Sequence, residues 1–266
     1  MKRNLKYFLV PIGIFIILLC ITFGIMYVVN PNKVKRLLDF TTSRGSVYVN
    51  RLRGYPYTKS KYDGIDVSKH NGIIKWEEVA KNKKIKFVYI KATEGSGHID
   101  CLYRRNVRQA KKAGLKIGSY HFFTSQSAAT TQFLYFSKVA KKNKQDLIPV
   151  LDIEEAGING KWNGKQLQDS VWVFMKLAKK HYGKYPIIYS NESFYNKELG
   201  HGFNHLFLFI ANYQRRPRLE GHGECNIWQY SERGHLSGIG EFVDLSCLQN
   251  GTAVKDLMLY HRFDSL

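Results

Sequence analysis

The sequence predicts an α/β barrel of eight strands, preceded by one membrane-spanning segment. Three observations carry this. Short apolar strands alternate with amphipathic helical patterns from Tyr62 onward, polar residues recur at the strand ends, and a long uncharged run lies near the N-terminus. Strand–helix alternation implies a mostly parallel sheet. A chain of 266 residues is long enough to close one. The 44% hydrophobic and 14% aromatic content supports a substantial core and argues against disorder.

The first element is the uncharged run. After MKRNLKY comes FLVPIGIFIILLCITFGIMYVV, residues 8–29. It is long enough to span a bilayer and longer than the usual apolar core of a signal peptide. No small-x-small cleavage site follows, and ILLC at 17–20 puts bulky Leu19 where a lipoprotein box needs a small residue. Lys2, Arg3 and Lys6 favour a cytoplasmic tail. Lys33, Lys35 and Arg36 sit on the other flank, so both sides are basic. The expectation is a cytoplasmic tail and single-pass anchor over residues 1–30, with the body outside the cytoplasm. Secretion after signal cleavage is the alternative. Residues 31–60 are basic, weakly periodic and rich in turn formers, as in a stalk, and residues 61–266 form the barrel.

Within the body the expected strands are 64–67, 87–91, 116–122, 147–153, 186–190, 206–211, 227–230 and 242–245. The clearest helix is 164–182, with Leu167, Val171, Phe174, Met175 and Ala178 on one face, Asn163 as its cap, and Gly183 then Pro186 closing it. A second, about 103–113, ends at Gly114 with Lys111 and Lys112 in its last turn, as the helix dipole favours. After Tyr195 the strands follow one another with little room for helices.

Charge and cysteines bound the chemistry. The net charge is +20: residues 1–60 hold ten Lys/Arg against one acid, Asp39, and residues 61–266 hold 31 against 20. The body is therefore basic in its own right, which fits an anionic cell-surface polymer or phospholipid. Nucleic acid is not expected, because no RNP-like or helix-turn-helix pattern appears. Cys20 lies in the apolar run, and Cys101, Cys225 and Cys247 read as small buried residues. A Cys225–Cys247 disulfide is the alternative. No Cys/His metal spacing occurs, and His70, His98 and His121 lack ligand spacing, so neither metal nor organic cofactor is implied.

IPVLDIEE, residues 148–155, ends an apolar run in three carboxylates. Strand alternation points Asp152 and Glu154 to one side and Ile153 and Glu155 to the other. Like charges held together make one of them hard to ionise. Asp66 and Asp244 also fall at strand ends, and in a parallel barrel those ends open onto one rim, where such folds place their chemistry. Carboxylates around a cleft, interleaved with aromatic rings, suit glycoside hydrolysis. That reaction needs one protonated acid for the leaving oxygen and a second carboxylate for positive charge at the sugar carbon.

These residues sit in a wider pattern. YDGIDVSKHNG (62–72), YIKATEG (89–95), GSYHF (118–122), PVLDIEE (149–155), IIYS (187–190), LFIANY (208–213), WQY (228–230) and VDLS (243–246) appear in order. Over about residues 62–250 the chain resembles the family-25 glycoside hydrolases, the lysozyme-type N-acetylmuramidases. The resemblance implies a modified TIM-like barrel of eight strands, with helices missing in its second half. Its substrate would be peptidoglycan, cut at the β-1,4 link from N-acetylmuramic acid to N-acetylglucosamine. Glu154 matches the family's general acid, the second carboxylate of its D-x-E motif. Asp152 matches the first, which would either orient the substrate acetamido group or stabilise the oxocarbenium-like state directly. Asp66 and Asp244 match the aspartates of the first and last strands. Tyr120, Tyr189, Tyr213, Trp228 and Gln229 fall on expected sugar-contact positions. Lys91 and Glu94 would form an ion pair under the site. Ser246 and KHNG (69–72) depart from the pattern.

Two rivals remain. A chitinase-like barrel would carry acids before the D-x-E pair, whereas Ile148, Pro149, Val150 and Leu151 precede Asp152. A tethered peptidoglycan-binding protein without activity needs none of the four carboxylates, and all are present.

Overall fold

The computed structural model describes residues 62–160 and 162–260. The expected anchor and stalk lie outside them. Among the described residues no helix is long and apolar enough to cross a membrane.

Nine strands form one sheet: β1 (Gly64–Val67), β2 (Phe87–Glu94), β3 (His98–Ile99), β4 (Ile117–Phe122), β5 (Val150–Asp152), β6 (Ile187–Asn191), β7 (Leu208–Ala211), β8 (Cys225–Gly234) and β9 (Val243–Leu248). The sheet closes because β1 pairs with both β2 and β9, leaving β3 as a two-residue addition to β2. The eight-stranded barrel is therefore as expected. The strands from β1 to β8 around it run parallel. The last strand does not. β9 is antiparallel to both β8 and β1, because the 235–242 connection is too short for a parallel crossover.

The long helices occupy the first half, as the spacing predicts: α1 (Trp76–Lys81), α2 (Tyr103–Lys112), α3 (Ala129–Val139) and α4 (Gly164–Tyr182). α4 keeps the expected bounds because both its ends are written in the sequence. Asn163 Oδ1 accepts from the Gln166 backbone N–H at 2.9 Å, and the Gln166 side chain returns the bond at 3.1 Å. Gly183 ends the helix at φ 94°, a left-handed turn that glycine takes without strain. The predicted face of α4 is buried, and Tyr182 extends it, its hydroxyl donating to the Ala140 carbonyl at 2.6 Å.

Strand alternation divides the core into two layers. Phe87, Tyr89, Val150, Ile187, Phe209 and Ile227 point into the lumen, and Leu257 joins them from a C-terminal turn. That turn is held by the Ile148 N–H on the Leu257 carbonyl at 2.8 Å. The alternate residues, such as Val88, Ile90, Leu151 and Ile188, pack outward against the helices. Gly118 makes the lumen possible: a Cβ there would lie 2.4 Å from the Tyr89 ring. The three described cysteines are free thiols, so the Cys225–Cys247 disulfide does not form. Cys225 and Cys247 are buried as expected, whereas Cys101 is exposed, at the turn before α2.

Candidate active site

Alternation along β5 puts Val150 in the lumen, Leu151 outside and Asp152 in the lumen. Glu154 lies past the strand, but its backbone stays extended (φ −131°, ψ 158°), so it continues the inward series. Both carboxylates reach a cleft of about 230 Å³ at the end where the parallel strands finish. Asp66 and Asp244 line it as well. Asp244 arrives by a route the sequence reading did not foresee. It stands near the start of β9, not at a parallel strand's end. Because β9 runs the other way, Asp244 pairs directly with Asp66 across the β1–β9 ladder.

Of the aromatic and amide residues expected here, Tyr120, Tyr189, Tyr213 and Gln229 line the cleft. Trp228 does not. It is 1% exposed, in the outer core, with its indole N–H donating to the Asn212 carbonyl at 2.7 Å. Neighbours in a strand point to opposite faces, so Gln229 facing the lumen sends Trp228 outward. Tyr89 and Phe209 form the floor, and Glu232 joins the wall. Sequence reasoning missed Glu232, because the β8–β9 register shifts twice between Gln229 and Gly234 and breaks simple alternation.

Gln229 organises the polar wall. Its side-chain carbonyl accepts from the Tyr189 hydroxyl at 2.8 Å and the Tyr213 hydroxyl at 2.9 Å. Its amide donates to Asp66 Oδ2 at 2.9 Å.

The four carboxylates are crowded and desolvated, so each resists ionisation. Burial and the Asp66 charge push Asp244 up to about 9, and it hydrogen-bonds Asp66. Burial raises Asp66 to about 6, against hydrogen bonds from Gln229 and Asp244. Asp152 lies well above the usual carboxylate range through burial and the nearby Glu154. Glu154 is raised by burial, with Tyr189 acting against it. Lys91, paired to Glu94 at 2.9 Å, adds a positive charge that favours ionised Asp152 and Glu154. Asp152 Oδ1 is buried without a hydrogen-bond partner.

Other strand-end residues are structural. Asn191 caps the turn at Glu192–Phe194, accepting from the Phe194 N–H at 2.9 Å. Asn212 Oδ1 accepts from the Gln214 N–H at 2.9 Å, shaping the turn beyond β7. His121 is buried, stacked on Phe174 at 5.1 Å, and burial lowers it to about 4. The KHNG segment is a short helical turn whose Asn71 donates to the Phe242 carbonyl at 2.8 Å, tying β1 to the loop before β9. Ser246 is fully buried on β9. Among the described residues no cluster of His, Cys, Asp and Glu is arranged to hold a metal ion.

The family model for glycosyl hydrolases family 25 matches residues 65–239. YegX of Escherichia coli (strain K12) is 37% identical over 202 residues, covering 74% of this chain and 72% of that protein. Lysozyme M1 of Streptomyces globisporus is 31% identical over 217 residues, 77% of this chain and 73% of that one. The solved structure of a family 25 glycosyl hydrolase from Bacillus anthracis superposes with a TM-score of 0.68 at 29% identity, covering 76% of this chain and 96% of its own. With the closed barrel and the carboxylate cleft in place, the chain belongs to glycosyl hydrolases family 25.

Proposed function

We propose that the cleft hydrolyses the β-1,4 bond from N-acetylmuramic acid to N-acetylglucosamine in peptidoglycan, with Glu154 as general acid. Lysozyme M1 and an autolytic lysozyme of Clostridium acetobutylicum, 29% identical, support this choice of bond. The observation that carries it is the Asp152/Glu154 pair, a buried carboxylate at the end of β5 with one unpartnered oxygen and a half-buried one two residues on, both facing the cleft. Burial and mutual proximity make both carboxylates harder to ionise than free ones. A substrate acetamido N–H donating to Asp152 Oδ1 favours ionised Asp152 and leaves the proton on Glu154. Glu154 then protonates the departing glycosidic oxygen as the acetamido carbonyl oxygen, oriented through the N–H that Asp152 holds, bonds to the sugar carbon. Water, giving its proton to Glu154, then opens that intermediate and completes the hydrolysis. Asp66 and Asp244, sharing one proton, complete the wall. Tyr120, Tyr189, Tyr213 and Gln229 contact the sugar.

The test is digestion of purified glycan strands, borohydride reduction and identification of the reduced sugar. N-acetylmuramic acid at the new reducing end supports the assignment, and N-acetylglucosamine there refutes it. Strands lacking the N-acetyl group on the muramic sugar resist cleavage if the acetamido attacks, and are cut normally if Asp152 attacks directly.

Residues 8–29 support a tether that holds the barrel outside the cytoplasm, with secretion after cleavage as the alternative. Carbonate extraction and the intact mass of the mature chain decide between them.

A further inference from the structure

Four connections on the barrel read KNKKIK (81–86), KKAGLK (111–116), KVAKKNKQD (138–146) and KKHYGK (179–184). They lead into β2, β4, β5 and β6, so they gather at the end where the parallel strands begin, opposite the cleft. Their one acid, Asp146, is already engaged, with Lys111 at 2.8 Å and the Ile117 N–H at 3.1 Å. Cations in the last helical turns suit the helix dipoles. That reason does not extend to Lys116, Lys141 and Lys144, which lie beyond the helix ends and are exposed. Between α2 and the 138–144 connection runs a groove of about 700 Å³, rimmed by Arg104, Arg108, Lys111, Lys138, Lys141 and Lys144. Val107 and Val139 line it with them.

The chain enters the barrel at this same end. Asp63 pairs with Lys86 at 2.8 Å, and Tyr62 accepts a hydrogen bond from Asn82, inside the first lysine cluster. The residues before Tyr62 carry the uncharged run 8–29.

We infer that this basic face is a docking surface for anionic lipid headgroups, which sets the barrel on the membrane with its cleft pointing away. The inference deepens the tethered reading and rests on it for the choice of occupant. Charge that served to hold a wall polymer in the cleft would sit beside the acids, whereas these four lysine clusters lie at the far end. Each lysine held at an anionic surface strengthens binding roughly fivefold.

The barrel closes on itself with its own core, and the solved relative from Bacillus anthracis consists almost wholly of that barrel. Residues 57–266 therefore serve for a flotation assay with phosphatidylcholine vesicles, with and without phosphatidylglycerol. The protein floats with the anionic vesicles alone and is released by high salt. The triple reversal Lys138→Glu, Lys141→Glu and Lys144→Glu lowers partitioning by more than about a hundredfold, since each change removes a lysine and adds an acid. An equal charge change at Lys165, Lys197 and Arg218, away from this face, lowers it far less. Cleavage of soluble glycan fragments is unchanged in both variants. Equal flotation with neutral vesicles, no flotation with anionic ones, or equal losses in the two triple variants overturns the proposal. So does stronger retention on an anionic wall polymer than on the vesicles. Carbonate extraction of the full chain reports on the tether separately. Release there, with vesicle binding of the barrel intact, refutes the tether and leaves the face standing.

Discussion

Replacing Asp244 with asparagine should stabilise the protein at neutral pH. Asp244 is half-buried against Asp66, and desolvation with that neighbouring charge pushes it from 3.8 to about 9. Folding must therefore keep a proton on a group that the unfolded chain would release. The folded state binds more protons than the unfolded one between those values, so stability falls as pH rises through that window. At pH 7 the full cost is about 4 kcal/mol, and on the order of 2 kcal/mol once cleft water relieves part of it. Asparagine is close to isosteric, permanently neutral and still an N–H donor to Asp66. Removing 2 kcal/mol of cost raises the melting temperature by roughly 4–8 °C if the barrel spreads it as domains of moderate size do. The assay is thermal unfolding of wild type and Asp244→Asn at several pH values. The gain should vanish near pH 4, grow with pH and level off near pH 9. A destabilised variant at pH 7, or a gain independent of pH, refutes a neutral Asp244 and the proton count built on it.

Further outcomes follow from other contacts. The alkaline limb of the kcat/KM profile should lie above the ordinary glutamate value of 4.5, because burial raises Glu154; an alkaline limb near 4.5 counts against it. Gln229→Leu strands two tyrosine hydroxyls and removes a donor from Asp66, so it should cost about 3 kcal/mol in chemical unfolding. Trp228→Phe should leave KM unchanged while losing about 1 kcal/mol of stability, since its indole N–H bonds the Asn212 carbonyl away from the cleft. Gly118→Ala should destabilise by about 1–3 kcal/mol, because its methyl meets the Tyr89 ring.

Much of this architecture is legible because local rules and global fold agree. The 164–182 helix announces its start with Asn163 and its end with Gly183, and both act as written. The inward series Val150, Asp152, Glu154 follows from period two alone. What escapes is information carried by partners. Nothing in VDLS says that its strand runs backwards, so the route of Asp244 to the rim appears only with the ladder to β1. Trp228 shows a different failure: the same period two that placed Asp152 forbids Trp228 and Gln229 from sharing a face. Glu232 depends on register shifts that belong to the β8–β9 pairing. The basic charge is plain in the composition, but its gathering opposite the cleft depends on which strand ends the connections serve.

Transfer of the Glu154 proton to the leaving oxygen is tested most directly by a leaving-group comparison. Wild type and Glu154→Gln would be assayed on native glycan strands and on an aryl glycoside of the muramic disaccharide whose phenolate departs without protonation. The expected result is a loss on the order of a thousandfold on native strands and a far smaller loss on the aryl glycoside. Equal losses on both substrates, with the variant still folded, would contradict Glu154 as the acid.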